Sequence, residues 1–273
     1  MENVYFEISI VVKEQSVKDM LIAELSAAGY EGFEEEREAI KAFVPVSDFD
    51  EKILDEIIKR YSVLFGKTII ENRNWNAEWE AGFQPVRVND FCVIRADFHP
   101  AANDIKHDII ITPKMSFGTG HHATTYLMIE AMSALTITGK KVFDYGTGTG
   151  ILAILAEKEG ANKVVATDND QWSLANATEN FNRNDCHNIL LINTEEIPGT
   201  DKYDIILANI NRNVLLHSMT GLQQHLSPGG VLLMSGLLAD DARMIENEGK
   251  KNRLVLAGQK ELNGWICLRM VHE

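Results

Sequence analysis

After Gly139 the sequence alternates strictly between short apolar segments and longer amphipathic ones, and this alternation restricts the folds that the chain can adopt. The apolar segments contain almost no polar residue, as expected of strands that are covered on both faces. They lie at residues 141–144, 163–167, 189–192, 203–208, 231–236, 253–258 and 264–270. Helices are predicted to start at Ile151, Ser173, Val214 and about Asp240. The pattern predicts an α/β domain with a Rossmann-like, mainly parallel sheet of seven strands.

The first 74 residues follow another pattern. Strands are predicted at residues 4–12, 32–35, 39–44 and 67–74. One helix is predicted from Ser16 with Gly29 at its stop, and a second begins near Asp48 and ends by Gly66. The order β-α-β-β-α-β is typical of a ferredoxin-like unit. The segment 75–90 shows no clear period and contains Pro85. We therefore predict a small α+β domain at residues 1–74, a linker at 75–90 and the α/β domain at 91–273.

The formal net charge is −14, and the acidic side chains are distributed unevenly. Residues 1–80 contain 18 acidic and 9 basic side chains, and the remainder contains 22 and 17. An acidic surface repels the phosphates of nucleic acids and attracts basic proteins, although it can also serve only to keep a protein in solution. A solubilising surface is the commoner explanation of such charge, and we expect no direct binding of nucleic acid.

The sequence predicts a cytoplasmic protein without a membrane partner. Its apolar runs are far shorter than the roughly 18 residues that a membrane span requires. The amino terminus, MENVYFEISI, lacks the basic start and apolar segment of a cleavable signal. Three cysteines, Cys92, Cys186 and Cys267, are too far apart for a zinc knuckle and are interpreted as packing residues.

The turn from Gly146 to Gly150 follows a buried strand directly and precedes a helix that starts at Ile151. Glycines at such a position let a ligand approach the free N–H groups of the helix. Asp168 ends the next predicted strand, where a carboxylate can accept hydrogen bonds from a ribose diol. The spacing G-x-G-x-G differs from the G-x-G-x-x-G/A of dinucleotide-binding turns. A ligand that contains a ribose is therefore predicted, and the glycine spacing weakens the case for a bound pyrophosphate.

An earlier segment, GTGHHA at residues 118–123, matches G-x-G-x-x-A in letters. Pro113 and Lys114 separate it from the preceding strand, and no carboxylate lies about twenty residues further on. We interpret this match as accidental and expect a helix to begin after it, at Thr124 or Thr125. His121 and His122 are adjacent, so no metal site is expected there.

The series Asp144-x-Gly-x-Gly-x-Gly, Asp168 and the later PGG resembles Rossmann-like, class I S-adenosylmethionine-dependent methyltransferases over residues 110–270. The segments SFGTGHHATT, DYGTGTGILAI, ILANI and MSGLL, behind an acidic ferredoxin-like unit, resemble the methyltransferases of large-subunit ribosomal protein eleven. This second resemblance spans nearly the whole chain. The sequence departs from that family at His121, Ala123 and Thr147.

The resemblance implies an enzyme whose amino-terminal domain recruits the basic ribosomal protein, free or on the large subunit. We expect this enzyme to be a monomer. The second domain then methylates lysine ε-amines and the α-amine, with S-adenosylmethionine as the cofactor. Asn209 is implied as the catalytic residue that orients the amine or the cofactor, Thr125 as a hydrogen-bonding partner of the methionine portion, and Phe117 as a residue that excludes water. Together, the predicted cofactor-binding residues are Phe117, Thr125, Gly146, Thr147, Gly148, Gly150, Asp168 and Asn209.

Simpler interpretations of some residues stay open at this point. Asn209 could cap the following turn, and Thr124 could cap its helix. Trp172 could line an adenine pocket or pack in the core. Trp75 and Trp79 are expected to pack between the domains, and His121 or His122 could accept a proton.

Three other functions are weighed against the leading one. RNA adenine N-methyltransferases carry a motif similar to Asn-Pro-Pro-Tyr at the end of this strand. The present chain has Asn209, Ile210 and Asn211 there. An NAD-dependent oxidoreductase is disfavoured by the glycine spacing. The third alternative is a non-catalytic module that senses S-adenosylmethionine and docks a partner through its acidic face.

Overall fold

The computed structural model describes residues 4–70, 84–112 and 122–273. The chain forms two compact units, Met1–Gly82 and Phe83–Glu273. No helix of the described residues is both long and apolar enough to cross a membrane.

The first unit contains the predicted elements in the predicted order. They are β1 (Tyr5–Val11), α1 (Gln15–Ala27), β2 (Gly32–Glu35), β3 (Ala39–Pro45), α2 (Glu51–Tyr61) and β4 (Leu64–Ile70). The sheet has the order β2-β3-β1-β4, and all its pairs are antiparallel. This is the arrangement of a ferredoxin-like unit. Its core consists of apolar side chains that are at most 8% exposed: Ile8, Ile10, Val12, Leu21, Leu25, Tyr30, Ile40, Ala42, Val44, Leu54, Ile57 and Ile58.

Helix α1 stops where the glycine signal predicts. Gly29 has φ +92°, and the N–H of Tyr30 donates to the carbonyl oxygen of Leu25 at 3.1 Å. This closure satisfies carbonyl groups of the last turn, which have no partner within the helix.

Helix α2 ends at Tyr61, before Gly66, the latest end that the sequence predicts. Ser62 adopts the left-handed conformation, with φ 52°, and closes the helix. Gly66 lies within β4, opposite Ser9 of β1. A glycine marks a helix end only where the backbone needs a positive φ, and Gly66 has no such φ. Residues 71–74 of the predicted strand lie outside the described residues.

The second unit begins with a small sheet of β5 (Val86–Val88), β6 (Cys92–Ala96) and β7 (His107–Ile111), in that order. Strand β5 pairs antiparallel with β6, which pairs parallel with β7. The predicted linker at 75–90 thus includes a strand at its end. Three residues are too few to show a period in the sequence, so pairing with β6 decides their conformation.

The large sheet confirms the predicted α/β fold. Its strands are β8 (Lys141–Tyr145), β9 (Lys163–Asp168), β10 (Ile189–Asn193), β11 (Tyr203–Asn209), β12 (Leu226–Leu238), β13 (Leu254–Leu262) and β14 (Trp265–His272). They have the order β10-β9-β8-β11-β12-β14-β13. The first five are parallel, and β14 is antiparallel to both β12 and β13.

The predicted PGG turn lies inside the long strand β12. Tyr203 pairs with Leu226 and Ile205 with Val231, so residues 227–230 are left out of the ladder. Gly229 has φ +71°, as a turn here requires.

Helices cover the two faces of this sheet. They are α3 (Ala123–Met132), α4 (Ile151–Lys158), α5 (Gln171–Arg183), α6 (Arg212–His225) and α7 (Ala242–Lys251). Side chains of β8 alternate between the two apolar layers, since Val142 belongs to one layer and Phe143 to the other. Because β8, β9 and β11 are parallel, the helices α4, α5 and α6 that follow them all start at the same edge of the sheet, where the strands have their carboxyl ends.

All three cysteines are buried and unpaired, as the packing interpretation predicts. Burial raises the pKa of each thiol to about 12. Such thiols stay protonated at neutral pH and are poor nucleophiles.

Candidate functional site

The glycine turn after β8 is fixed by the neighbouring strand. Gly146, Gly148 and Gly150 have φ values of 75°, 56° and 82°, a region that L side chains rarely adopt. The N–H groups of Gly146 and Thr147 donate to the carbonyl oxygen of Thr167 at 2.9 and 2.8 Å. The turn is therefore held at the carboxyl end of β9.

Two of the glycines are also required by crowding. A Cβ atom on Gly146 would lie 2.4 Å from Cγ2 of Ile210, and one on Gly150 would lie 2.5 Å from Cε1 of Phe181. Gly150 caps α4, and α5, which carries Phe181, packs against it. A larger residue at either position would displace a neighbouring element.

We expect Gly150→Ala to lower the free energy of unfolding by roughly 2–4 kcal/mol, because strain at positive φ adds to overpacking. Gly139→Ala is the matched control, since Gly139 has φ +77° and a Cβ there meets nothing within 4 Å. Urea unfolding of both variants separates the two contributions. An equal loss in both would contradict a role for the Phe181 contact.

Asp168 ends β9, and its carboxylate is held by two backbone N–H groups. Gly148 donates to Oδ2 at 2.8 Å, and Asp170 donates to Oδ1 at 3.0 Å. The side chain is half-buried. Each carboxylate oxygen has a second acceptor site, so the group can still accept hydrogen bonds from a ligand.

Asp144 and Thr147 form a buried pair beneath the turn. The hydroxyl of Thr147 donates to Oδ2 of Asp144 at 2.6 Å, and the two residues are 7% and 1% exposed. Burial raises the pKa of Asp144 to about 7, although the Thr147 hydroxyl and the N–H of Ala153 oppose the rise and the charge of Asp168 adds to it. The side chain of Thr147 contacts the protein interior and not a ligand space.

When the pKa of a carboxyl is higher in the folded protein than in the unfolded chain, the free energy of unfolding falls as pH rises from the lower pKa to the higher one. Between pH 5.5 and 7 this carboxyl is already ionised in the unfolded chain, whereas the folded protein still retains its proton. We expect Asp144→Asn, which has no proton to release, to become more stable relative to the unsubstituted protein by about 1.4 kcal/mol per pH unit over this range. Urea unfolding of both proteins at pH 5.5 and 8 measures the difference. A difference that does not change with pH would contradict the raised pKa.

Asn209 ends β11 and lies near Thr125 of α3, which is 84 residues away in the chain. Its Nδ2 lies 3.5 Å from Oγ1 of Thr125. Its Oδ1 is buried and has no hydrogen-bond partner among the described residues. Such an acceptor is costly to leave unpaired unless a ligand supplies the donor.

The two capping interpretations are wrong. Asn211, not Asn209, caps α6, because its Oδ1 accepts from the N–H of Val214 at 3.1 Å. His122, not Thr124, caps α3, because its Nδ1 accepts from the N–H of Thr124. Thr124 and Thr125 are both buried.

A cavity of about 1170 Å³ brings several predicted residues together. Gly146, Gly148, Asp168 and Asn209 all line it. Side chains of Thr125 and Thr147 do not, and neither does Gly150. Phe117 lies outside the described residues, as do His121, Trp75 and Trp79.

Trp172 neither lines this cavity nor packs in the core, so both interpretations of it were wrong. Its side chain is 80% exposed at the start of α5. His122 does line the cavity, and its ring contacts that of Trp265 edge to face, at 4.6 Å between centroids. Among the described residues, no group of three or more His, Cys, Asp or Glu side chains is placed to hold a metal ion.

Sequence reasoning missed most of the cavity wall. The missed residues include Tyr145, Thr194, Glu195, Glu196, Ile197, His217, Ser218, Gly236 and Trp265. Residues 194–197 follow the carboxyl end of β10 directly, and the rule that ligands bind at this edge of a parallel sheet could have identified them. For Trp265, which begins an antiparallel strand, no comparable signal exists.

Asn180 was also missed, although it helps to fix the glycine turn. Its Nδ2 donates to the carbonyl oxygen of Thr149, and its Oδ1 accepts from the N–H of Thr112, both at 2.8 Å. The residue is fully buried in α5. It therefore links the turn to the residue that follows β7.

Comparison with known proteins gives a consistent result. The family model described as ribosomal protein L11 methyltransferase (PrmA) matches residues 6–273. The chain is 37% identical over 263 residues to the ribosomal protein L11 methyltransferase of Porphyromonas gingivalis. This alignment covers 93% of the present chain and 91% of the relative. The chain is 41% identical over 244 residues to the protein of the same name from Chlorobaculum parvum, covering 84% and 83%.

A solved structure agrees with these relatives. The crystal structure of a ribosomal protein L11 methylase from Lactobacillus delbrueckii subsp. bulgaricus aligns with a TM-score of 0.65 and 30% identity, over 70% of this chain and all of that one. The family that the motifs predicted is therefore confirmed: the chain belongs to the ribosomal protein L11 methyltransferase (PrmA) family.

Proposed function

We propose that this protein is an S-adenosylmethionine-dependent methyltransferase that acts on lysine ε-amines and the α-amine of ribosomal protein L11 in the cytoplasm. One observation carries the proposal: the glycine turn, the strand-end carboxylate and the strand-end asparagine line a single cavity at the carboxyl edge of the sheet. The names of these relatives, ribosomal protein L11 methyltransferases, support a protein substrate.

The residues of the cavity fit a nucleoside attached to an amino acid. Gly146 and Gly148 have no Cβ, so a ligand can approach the backbone of the turn closely. The carboxylate of Asp168 has acceptor capacity for a ribose diol. Asn209 presents a buried acceptor without a partner among the described residues.

When bound, S-adenosylmethionine supplies a methyl group made electrophilic by its sulfonium. The protein must then hold a neutral amine in position, since a lysine ammonium has no free lone pair. The reference pKa of lysine is about 10.4, so only a small neutral fraction exists near pH 7. We assign Oδ1 of Asn209 to accept a hydrogen bond from this amine and so orient its lone pair. Desolvation beside apolar wall residues such as Ile210 and Trp265 would favour the neutral amine.

The acidic first unit is proposed to recruit the basic substrate. Glu31, Glu34, Glu35, Glu36 and Glu38 are all exposed in or beside β2 and the turn that follows it. Complementary charge raises association rates and favours the correct partner. We propose that the enzyme works as a monomer on L11 that is free or on the large subunit, without binding RNA itself.

Incubation with purified L11 and S-adenosylmethionine labelled in its methyl group tests the proposal. We expect label on lysine side chains and on the α-amine, located by mass spectrometry of peptides. L11 whose amines have been acetylated is the control and should take up no label. Cofactor binding without any transfer to L11 would instead indicate the sensing module.

Label in purified ribosomal RNA but not in protein would indicate the RNA adenine alternative. The structure offers little for such a substrate, because Ile210 follows Asn209 where an enzyme of that kind has a proline. A Cβ on Gly146 would lie 2.4 Å from Cγ2 of Ile210, so this side chain packs against the glycine turn. Adenine methylation on an extruded base requires a stacking residue at this place.

A further inference from the structure

Thr147 is held in the glycine turn by three hydrogen bonds, two from its main chain and one from its side chain. Its N–H donates to the carbonyl oxygen of Thr167 at 2.8 Å, and its own carbonyl oxygen accepts from the N–H of Gly150 at 2.9 Å. Its hydroxyl donates to Oδ2 of Asp144 at 2.6 Å. Main chain and side chain are thus anchored at three separate points.

Asp144 is a rigid anchor for that hydroxyl. It lies in β8, where its neighbours across the sheet are Ala166 of β9 and Leu207 of β11. Its side chain is 1% exposed, and its Oδ1 has no hydrogen-bond partner among the described residues, so the Thr147 hydroxyl on Oδ2 is its established polar contact. The side chain therefore connects the centre of the sheet to the glycine turn.

The residue after Thr147 makes the contact that concerns the ligand site. The N–H of Gly148 donates to Oδ2 of Asp168 at 2.8 Å. Because Gly148 has φ 56° and no side chain to restrict it, its backbone direction depends on the residues on either side. Thr147 is the neighbour that is tied to the sheet.

We propose that Thr147 is a positioning residue: its hydroxyl, held by Asp144, sets the glycine turn so that the Gly148 amide orients the Asp168 carboxylate for the ribose of the cofactor. This inference rests on the proposed function, because it takes S-adenosylmethionine as the ligand. It replaces the expectation that Thr147 contacts the cofactor itself. Its side chain faces Asp144, away from the cavity.

The proposal predicts a specific pattern in kinetics. A residue that aligns the binding groups affects the bound cofactor equally before and during methyl transfer. Loss of such an interaction raises KM and leaves kcat nearly unchanged. A general loosening of the active site would lower kcat as well.

The test compares Thr147→Val, which has the same shape without the hydroxyl, with Thr147→Ser, which keeps the hydroxyl. Thr178→Val is the control for the same chemical change, because the Thr178 hydroxyl is exposed and donates within α5, to the carbonyl oxygen of Leu174. Calorimetry gives the Kd for S-adenosylmethionine, and thermal unfolding of each free protein reports its stability. Methylation of L11 gives KM and kcat.

We expect Thr147→Val to weaken cofactor binding about ten-fold, the upper end of the usual effect of losing one hydrogen bond. KM for the cofactor should rise by a similar factor with kcat within about two-fold. Thr147→Ser and Thr178→Val should bind within about three-fold of the unsubstituted protein. If the valine variant does not fold, Thr147→Ala gives the same comparison with serine.

Two results would overturn the inference. One is binding by the folded valine variant within two-fold of the unsubstituted protein, and the other is an equal loss in the valine and serine variants. Failure of the proposed function looks different, because the unsubstituted protein itself would then not bind S-adenosylmethionine.

Discussion

Asp168→Ala is expected to abolish measurable binding of S-adenosylmethionine. The carboxylate is the one predicted to accept the ribose hydroxyl groups, and each hydrogen bond to a charged group contributes about 1.5–3 kcal/mol. Loss of two such bonds weakens binding by roughly two to four orders of magnitude. The variant also leaves the N–H groups of Gly148 and Asp170 without their acceptor.

Calorimetric titration of the purified variant measures this effect, and circular dichroism checks its fold. Asp170→Asn is the matched control. It removes one negative charge two residues away but keeps a side-chain oxygen to cap α5, where Asp170 accepts from the N–H of Ser173 at 2.9 Å. Binding by Asp168→Ala at the level of the control would remove the argument for a ribose contact.

Asn209→Ala is expected to lower kcat by about two to three orders of magnitude and to leave cofactor affinity within a few-fold. This is the scale observed when a polar group that orients the reacting atoms is removed. The amine would then lose the acceptor that directs its lone pair. Initial rates at saturating cofactor and L11 measure kcat, and calorimetry measures the affinity.

Asn213→Ala is the control for this variant, because Asn213 lines the same cavity and is exposed. Asn209→Asp adds a stricter test. A carboxylate at this position favours the charged ammonium and raises its pKa, so activity should shift to higher pH. An Asn209→Ala enzyme with kcat within three-fold of the unsubstituted protein would exclude the assigned role.

Local patterns in the sequence determined the architecture. Alternation of apolar strands and helices depends on periods of two and 3.6 residues, and these periods follow from backbone geometry alone. The seven strands from β8 to β14 were therefore predictable, as was the start of α4 at Ile151. Gly146 and Asp168 were predictable for a related reason, since strand ends at the carboxyl edge of a parallel sheet meet in space.

Only the tertiary structure decided which way individual side chains point. Thr147 turns inward to Asp144, Trp172 points to solvent, and Asn209 meets Thr125 from 84 residues away. Directions of this kind depend on the packing of elements that are distant in the chain, and no short-range period encodes them. The same holds for Trp265, which reaches the cavity only because β14 runs antiparallel beside β12. Backbone periodicity thus fixed where the site lies, and long-range packing fixed which side chains form it.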